Sequence, residues 1–284
     1  MNVFGILYMY DSVFRRAREA LFRSCGLCAA CTLPVDTDVT WRYYGMKTLK
    51  EVIENSRRIA FLGGAGVSTE SGVPDFRSSN GIYKARQSYG YPPEVLLSRS
   101  FFDARTEIFF DYYRKNLLCP SAKPNRAHIA LAKLEQQGKL SAVITQNIDG
   151  LHHAAGSKNV LELHGSVLRN YCMKCGEFYP VETVLNSTGV PRCKCGGIIK
   201  PDVVLYEEGL DSVTLRNAVT EIARADTRIV GGTSLVVYPA AGLIDYFSGK
   251  ELVLINLSST DRDSEATLCL HEKIGEALGD AVGC

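Results

Sequence analysis

Gly63-Gly64-Ala65-Gly66-Val67-Ser68-Thr69-Glu70-Ser71-Gly72-Val73-Pro74-Asp75-Phe76-Arg77 follows directly on the apolar run Ile59-Ala60-Phe61-Leu62. A short apolar run closed by a glycine turn reads as a buried strand. Glycines at a strand end let the backbone turn sharply and bring N–H groups close to a ligand phosphate. A nucleotide site is therefore expected here. A strict dinucleotide fingerprint would need a third glycine at Thr69, and a phosphate loop would need a Lys-Ser/Thr pair after the glycines. Neither is present. The turn runs on instead into Pro74-Asp75-Phe76-Arg77, which returns an aromatic ring and a cation to the same end of the sheet.

Outward from this stretch, strand and helix patterns alternate. Apolar runs at 59–62, 141–145, 159–163, 203–206, 228–230 and 252–256 are separated by helical patterns. One of these, His128 to Gln137, stops at Gly138, as a C-terminal glycine cap would have it. Upstream, Thr48 and Glu51 form a capping-box pattern ahead of Leu49, Val52 and Ile53. The alternation predicts an α/β fold: a Rossmann-like parallel sheet with helices on both faces and ligands at the carboxyl ends of its strands. Two segments interrupt it and predict a small inserted zinc-ribbon and helical domain. Residues 79–118 are aromatic-rich and helical in pattern, and 169–202 are rich in Cys, Gly and Pro.

The 284 residues suit one large domain or one domain with an inserted module. A net charge of +1 gives no general attraction to nucleic acid or to an anionic membrane, and no apolar run is long enough to span a bilayer. Residues 1–45 read as an extension and 46–284 as the working domain. The extension holds Trp41, Cys25, Cys28 and Cys31, and a short basic amphipathic stretch around Arg15, Arg16 and Arg18. Asp11 and Glu19 speak against a transit peptide, and the fourth cysteine and proline of an iron–sulfur motif do not follow. Ten cysteines in close-spaced groups favour metal ligation in a reducing compartment, hence the cytoplasm, over a disulfide framework.

Cys172-x-x-Cys175 and Cys193-x-Cys195 are each followed by glycine, which permits a tight knuckle aiming two thiolates at one ion. Four thiolates predict a closed, tetrahedral, structural zinc site. The run Thr145-Gln146-Asn147-Ile148-Asp149-Gly150 sets two amides and a carboxylate at a strand end, where they can hold a carboxamide and ribose hydroxyls. His164-Gly165 ends the next strand, and a histidine there is a candidate general base. Histidines 128, 152, 153 and 271 read as structural or solvated. Gly231-Gly232-Thr233-Ser234 and Asn256-Leu257-Ser258 follow the last two strands with small hydroxyl and amide groups suited to phosphate and ribose.

Taken in order, these motifs resemble those of the sirtuins, the NAD-dependent protein-lysine deacylases, over essentially all of 46–284. The resemblance implies roles by position. Gly64, Ala65, Gly66, Thr69, Asp75, Phe76 and Arg77 would form the loop lining NAD. Gln146, Asn147, Ile148 and Asp149 would form the ribose and nicotinamide pocket, with Asp149 and the Ile148 backbone on the carboxamide. His164 would be the catalytic base, with Asn147 and Asp149 beside it. Gly232, Thr233, Ser234, Asn256 and Leu257 would contact the ADP side, and Ala266 the adenine. Val203, Val204, Leu205 and Tyr206 resemble the strand that pairs with an extended acyl-lysine peptide. The family usually has Phe-Gly-Glu at its end; here Tyr206-Glu207-Glu208 puts a glutamate in the glycine place.

The implied reaction consumes NAD: the acyl oxygen of a modified lysine attacks the nicotinamide-bearing ribose carbon, and His164 deprotonates a ribose hydroxyl. Free lysine, nicotinamide and O-acyl-ADP-ribose result. Sirtuins that prefer acidic acyl groups carry a Tyr-x-x-Arg pair on the helix before the second strand. Here Arg114 is matched with Asp111, which would repel an acyl carboxylate and favour acetyl or another neutral group. ADP-ribosyl transfer and plain NAD hydrolysis are the alternatives on the same fold. A non-enzymatic NAD binder would not need His164, and a dehydrogenase would call for the third glycine.

Overall fold

The computed structural model describes residues 47–75 and 85–284. The expectations for 1–45 and for Phe76 and Arg77 lie outside the described residues, as does the start of the 79–118 segment.

Among the described residues, helices α1 (Leu49–Asn55), α2 (Pro93–Leu96), α3 (Arg99–Ala104), α4 (Thr106–Asn116) and α5 (Arg126–Gln136) precede or flank the first strands. Later come α6 (Leu151–Ala154), α7 (Val181–Leu185), α8 (Ser212–Arg224) and α9 (Ile274–Val282). Strands β1 (Ile59–Gly63), β2 (Leu140–Thr145), β3 (Val160–Glu162), β7 (Thr227–Gly231), β8 (Glu251–Ile255) and β9 (Leu268–Leu270) form one six-stranded sheet in the order β3-β2-β1-β7-β8-β9. Every pairing in it is parallel.

The sheet is covered on both faces, and strand periodicity decides which residue faces which layer. Ile59 and Phe61 of β1, Ile229 of β7, and Val253 and Ile255 of β8 pack with α1, α5 and α9. The alternate residues Ala60, Leu62, Val230, Leu252 and Leu254 pack with Ala218 and Ile222 of α8 on the other face. Local signals start and stop the helices as expected. Thr48 Oγ1 accepts from the Glu51 N–H while Glu51 Oε2 accepts from the Thr48 N–H at 2.9 Å. Gly138, at φ +73°, ends α5 in the left-handed region.

The two interrupting segments share one core. Strands β4 (Gly165–Cys172), β5 (Phe178–Pro180) and β6 (Ile199–Val203) make a separate antiparallel sheet in the order β5-β4-β6. Val167 and Val203 of this sheet, with Val184 of α7, pack against Phe101, Phe102, Phe109, Phe110 and Tyr113 of α3 and α4. The apolar run at 203–206, read as a strand of the main sheet, is instead the end of β6 and an extended tail. Its residues are drawn to this aromatic core, with Val203 and Leu205 both buried. Strand β9 carries no sequence signal of its own, being three residues on a sheet edge.

Candidate active site

From β1 the chain builds outward through β2 and β3, then returns to the opposite side of β1 with β7, β8 and β9. Such a reversal opens a crevice at the carboxyl ends of the strands. A cleft of about 910 Å³ lies there. It is lined by Gly64, Ala65, Gly66, Thr69 and Asp75 after β1, and by Gln146, Asn147, Ile148 and Asp149 after β2. His164 follows β3, Val203 to Tyr206 come from the end of β6, Gly232, Thr233 and Ser234 follow β7, and Asn256 and Leu257 follow β8. Ala266 is not among the lining residues. It packs half-buried against the core beneath β8, because the 3₁₀ turn Asp263–Glu265 ends there and the chain goes straight into β9.

The glycines answer to a contact that the sequence did not suggest. The Gly64 N–H donates to the Gly231 carbonyl at 3.2 Å, and the Gly66 N–H to the Gly232 carbonyl at 2.8 Å. Two loops therefore meet backbone to backbone across the switch point, and these N–H groups are engaged by protein. A Cβ on Gly64 would stand 2.7 Å from Thr233 Cβ, and one on Gly66 2.7 Å from Gly232 Cα. Thr233 continues the link: its Oγ1 accepts from Gln146 Nε2 at 3.2 Å, and its N–H donates to Asn256 Oδ1 at 2.9 Å. Three strand ends are thus tied together. Asn256 Nδ2 is left buried without a partner, a donor in a cleft whose expected ligand is rich in ribose and phosphate acceptors.

Beneath the glycine turn lies a polar chain whose members are far apart in sequence. Asn125, the N-cap of α5, donates its backbone N–H to His128 Nδ1 at 3.3 Å. The same Nδ1 lies 3.0 Å from Asn125 Oδ1, and the opposite ring nitrogen, Nε2, faces Ser68 Oγ at 3.5 Å. Ser68 accepts from Asn147 Nδ2 at 3.0 Å and donates to Asp149 Oδ2 at 2.7 Å. The other Asp149 oxygen accepts from the Leu151 N–H at 2.9 Å. Ser68 and Asn125 were not singled out from sequence, and His128 was read only as structural or solvated; the capping pattern of α5 would have flagged Asn125. Their arrangement fixes the Asp149 carboxylate and the Asn147 amide before any ligand arrives.

Burial holds His128 down to about 4 and, with help from His128 and His153, His152 down to about 3. Both rings are neutral in the folded protein at pH 7, whereas in the unfolded chain they titrate near the ordinary ~6.5. The unfolded state therefore takes up protons first. Stability is full above about pH 6.5 and declines as pH falls toward 4, by up to ~1.4 kcal/mol per pH unit for each histidine. Neither ring nitrogen of His152 has a partner, and its ring lies 4.7 Å from that of His128 and 6.2 Å from that of Phe61. His152→Leu, close in volume, is expected to flatten the decline between pH 6.5 and 5 in urea melts. An unchanged slope would remove His152 from that account.

His164 is held from three sides. Its Nδ1 lies 2.9 Å from the Gln146 carbonyl, which can only accept, so Nδ1 carries the proton and Nε2 the lone pair. Its own carbonyl accepts from the Val204 N–H at 3.0 Å. Gly165 follows at φ +74°, where a Cβ would stand 1.9 Å from the Asp202 carbonyl oxygen. Only glycine lets β4 start so close to β6, and that turn is what leaves His164 at the cleft.

The segment 203–206 is already partly paired. The Tyr206 N–H donates to the Leu97 carbonyl, the Tyr206 carbonyl accepts from the Arg99 N–H, and the Leu205 N–H donates to Glu208 Oε2 at 2.9 Å. Glu207 sits at φ +76°, the left-handed region that a glycine would occupy without strain. Its carboxylate accepts from the Ser100 N–H at 2.8 Å and the Ser100 hydroxyl at 2.9 Å. The turn thus survives the glycine-to-glutamate change, with strain of about 1–2 kcal/mol offset by two charge-assisted hydrogen bonds. Glu207→Ala keeps the strain and loses the bonds. Glu207→Gly should therefore be the more stable of the two by about 1 kcal/mol, reversing the usual order, as denaturant melts would read. Alanine ahead of glycine would contradict this.

Cys172, Cys175, Cys193 and Cys195 converge, with all four sulfurs within 4.8 Å of one another. Sulfur–sulfur distances of 3.4 and 3.6 Å compare with the roughly 3.8 Å of tetrahedral zinc thiolate at bond lengths of ~2.3 Å. Backbone N–H groups of Lys174 and Cys195 point at Cys172 and Cys193 sulfurs, and the Tyr179 hydroxyl donates to Cys193. Gly176 and Gly196, at φ +75° and +84°, close the two knuckles. The donor set and its outer hydrogen bonds fit zinc.

Asp111 and Arg114 do not line the cleft. Asp111 accepts from the Tyr89 hydroxyl and Lys115, while Arg114 donates to the Gly189 carbonyl and stands over the Phe110 ring. The aromatic face of α4 is pulled into the core, which turns both charged residues outward. Among the described residues lining the cleft, Lys273 is the sole lysine or arginine, against carboxylates that include Glu94, Glu207 and Glu208.

A Sir2 family model matches residues 64–239. The chain is 61% identical over 236 residues to an NAD-dependent protein deacetylase of Clostridium perfringens, covering 82% of this chain and 97% of that one. It is 52% identical over 226 residues to the protein of the same description from Cutibacterium acnes, covering 80% and 93%. Among solved structures, a Sir2 homologue–NAD complex superposes with a TM-score of 0.75 at 38% identity, covering 83% of this chain and 91% of that one. A Sir2 complex with p53 peptide and NAD superposes at 0.73 with 40% identity, covering 84% and 98%.

Proposed function

The chain belongs to the Sir2 family, and from that premise we propose that it is an NAD-dependent protein-lysine deacetylase. It moves the acyl group from lysine to ADP-ribose and releases nicotinamide. The observation that carries this reading is His164: a ring with its proton committed to the Gln146 carbonyl and its basic nitrogen opposite, at a cleft of nucleotide size. A protein that merely binds NAD has no use for such a base.

The residue roles follow from the same geometry. Bound NAD supplies an activated ribose carbon with nicotinamide as leaving group. Asp149 and Asn147, oriented by Ser68, hold the nicotinamide and ribose end. Gln146, Thr233 and Asn256, tied to one another, hold the remaining ribose and phosphates. His164 takes a proton from a ribose hydroxyl, and Val203 to Tyr206 accept an extended peptide. That last pairing uses the groups the Leu97 and Arg99 contacts leave over. Zinc, held by Cys172, Cys175, Cys193 and Cys195, has four protein ligands and a structural part only.

A neutral acyl group remains the expected one, now on different grounds: among the described residues, Arg114 is bonded away from the cleft and Lys273 alone brings a positive charge to its lining. The same acidic lining suits acyl-lysines in a basic sequence context. The working domain is taken as 46–284 and the compartment as cytoplasmic, in keeping with four of the described cysteines being grouped for metal ligation. No helix among those residues is long and apolar enough to cross a membrane.

Mass spectrometry of the purified chain with NAD and an acetyl-lysine peptide tests the assignment. Deacetylated peptide and O-acetyl-ADP-ribose in equal amounts are expected. Nicotinamide and ADP-ribose without deacetylation would replace it with NAD hydrolysis. Faster removal of succinyl than of acetyl would overturn the neutral-acyl reading.

A further inference from the structure

A second group of metal-ligand side chains converges at the far edge of the main sheet, outside the residues that the family model matches. Asp263, Cys269 and His271 bring a carboxylate oxygen, a sulfur and an imidazole nitrogen within 4.8 Å of one another. His271 Nε2 stands 3.7 Å from Cys269 Sγ and 3.4 Å from Asp263 Oδ2. Around a tetrahedral ion with bonds of ~2.3 Å to sulfur and ~2.0–2.1 Å to nitrogen and oxygen, those separations would be about 3.6 and 3.4 Å. We propose that Asp263, Cys269 and His271 bind a zinc ion, or another thiophilic divalent metal, as a three-ligand site with a fourth position open to water.

The surroundings are those of a metal site. His271 Nδ1 faces the Asn256 carbonyl at 3.4 Å, and a carbonyl only accepts, so Nδ1 holds the proton and Nε2 turns its lone pair to the other two ligands. Asp263 is fixed through its second oxygen, Oδ1, which accepts from the Thr260 N–H at 3.1 Å and the Thr260 hydroxyl at 2.7 Å. Oδ2 is thereby directed at His271 and Cys269. The Cys269 thiol can give its proton to Asp263; a divalent ion in place of that proton would engage the sulfur, the carboxylate and the imidazole together.

The site would also act on the cleft. Its outer shell includes Asn256 and Thr260, both of which line the cleft, and Asn256 Oδ1 accepts the Thr233 N–H there. A bound ion would join β9 to the turn around 257–263 and restrain that wall. The ion's position is distinct from the four-cysteine site, so two ions per chain are implied.

The full-length protein, purified with its first zinc in place, would be dialysed against micromolar free zinc and its metal counted by plasma mass spectrometry. Two ions per chain are expected for the wild type and one for Cys269→Ser and for His271→Ala. Hydrogen exchange should show added protection at 257–263 with zinc in the wild type alone, and an unchanged pattern elsewhere would verify that the variants are folded. A single ion in all three proteins would overturn the proposal. Two ions in all three would overturn it as well, since the second ion would then be held elsewhere.

Discussion

His164→Ala is expected to lower deacetylation by about 100- to 10,000-fold while NAD still binds, the range set by loss of a positioned general base. The proposed base is held in place without substrate: the Gln146 carbonyl fixes its tautomer, and Gly165 and Val204 fix its backbone. None of the ties that join the glycine loops, Thr233 and Asn256 passes through the His164 side chain, so the nucleotide wall should survive the substitution. Turnover and NAD affinity, measured on the same preparation, separate the two effects. Unchanged turnover would remove His164 from the chemistry. Equal losses of turnover and NAD affinity would instead make the ring part of the nucleotide wall.

The parts of this molecule that could be read from sequence are those encoded locally. Ile59 to Leu62 ahead of a glycine turn, Thr48 with Glu51, and Gly138 after α5 each carry their own backbone requirement within a few residues. The side chains that line the cleft at successive strand ends were legible for the same reason, because the ends of parallel strands gather at one edge whatever the strand order. Contacts between distant segments were not. The need for glycine at Gly64 and Gly66 comes from the loop at 231–233, and the orientation of Asp149 comes from Ser68, itself backed by His128. Arg228 is the sharpest case. Its place in the run 228–230 marked a strand but not a role for the guanidinium, which is fully buried in β7, donating to the Leu243 carbonyl, with burial pushing it down to about 9. Glu207 shows the converse: a glutamate in a glycine place looked like lost geometry, and the Ser100 contacts that retain it come from a helix over a hundred residues upstream.

Removing one zinc thiolate, as in Cys175→Ser, is expected to unfold the metal end of the β4–β5–β6 module and abolish activity while the main sheet stays folded. At the metal end of the module the core is Cys172, Cys193 and Ile199, with Tyr179 and Cys195 beside them, so most of what is buried there is metal ligand, whereas Val167, Val184 and Val203 at the other end pack on α3 and α4. Burying one isoleucine contributes only about 1.5–3 kcal/mol, whereas apparent structural zinc affinities reach about 10–16 kcal/mol. Without the ion, nothing of comparable size holds the knuckles. The damage would reach the cleft along β4 and β6: Cys172 pairs with Ile199 at the metal end, and Gly165 pairs with Val203 at the other, beside His164. The six-stranded sheet has separate cores on each face and no share in the zinc cluster. Hydrogen exchange on Cys175→Ser should therefore show lost protection across 170–200 with β1 and β7 still protected. A variant lacking this zinc but retaining both protection in 170–200 and full turnover would show that side-chain packing, and not the metal, holds the module together.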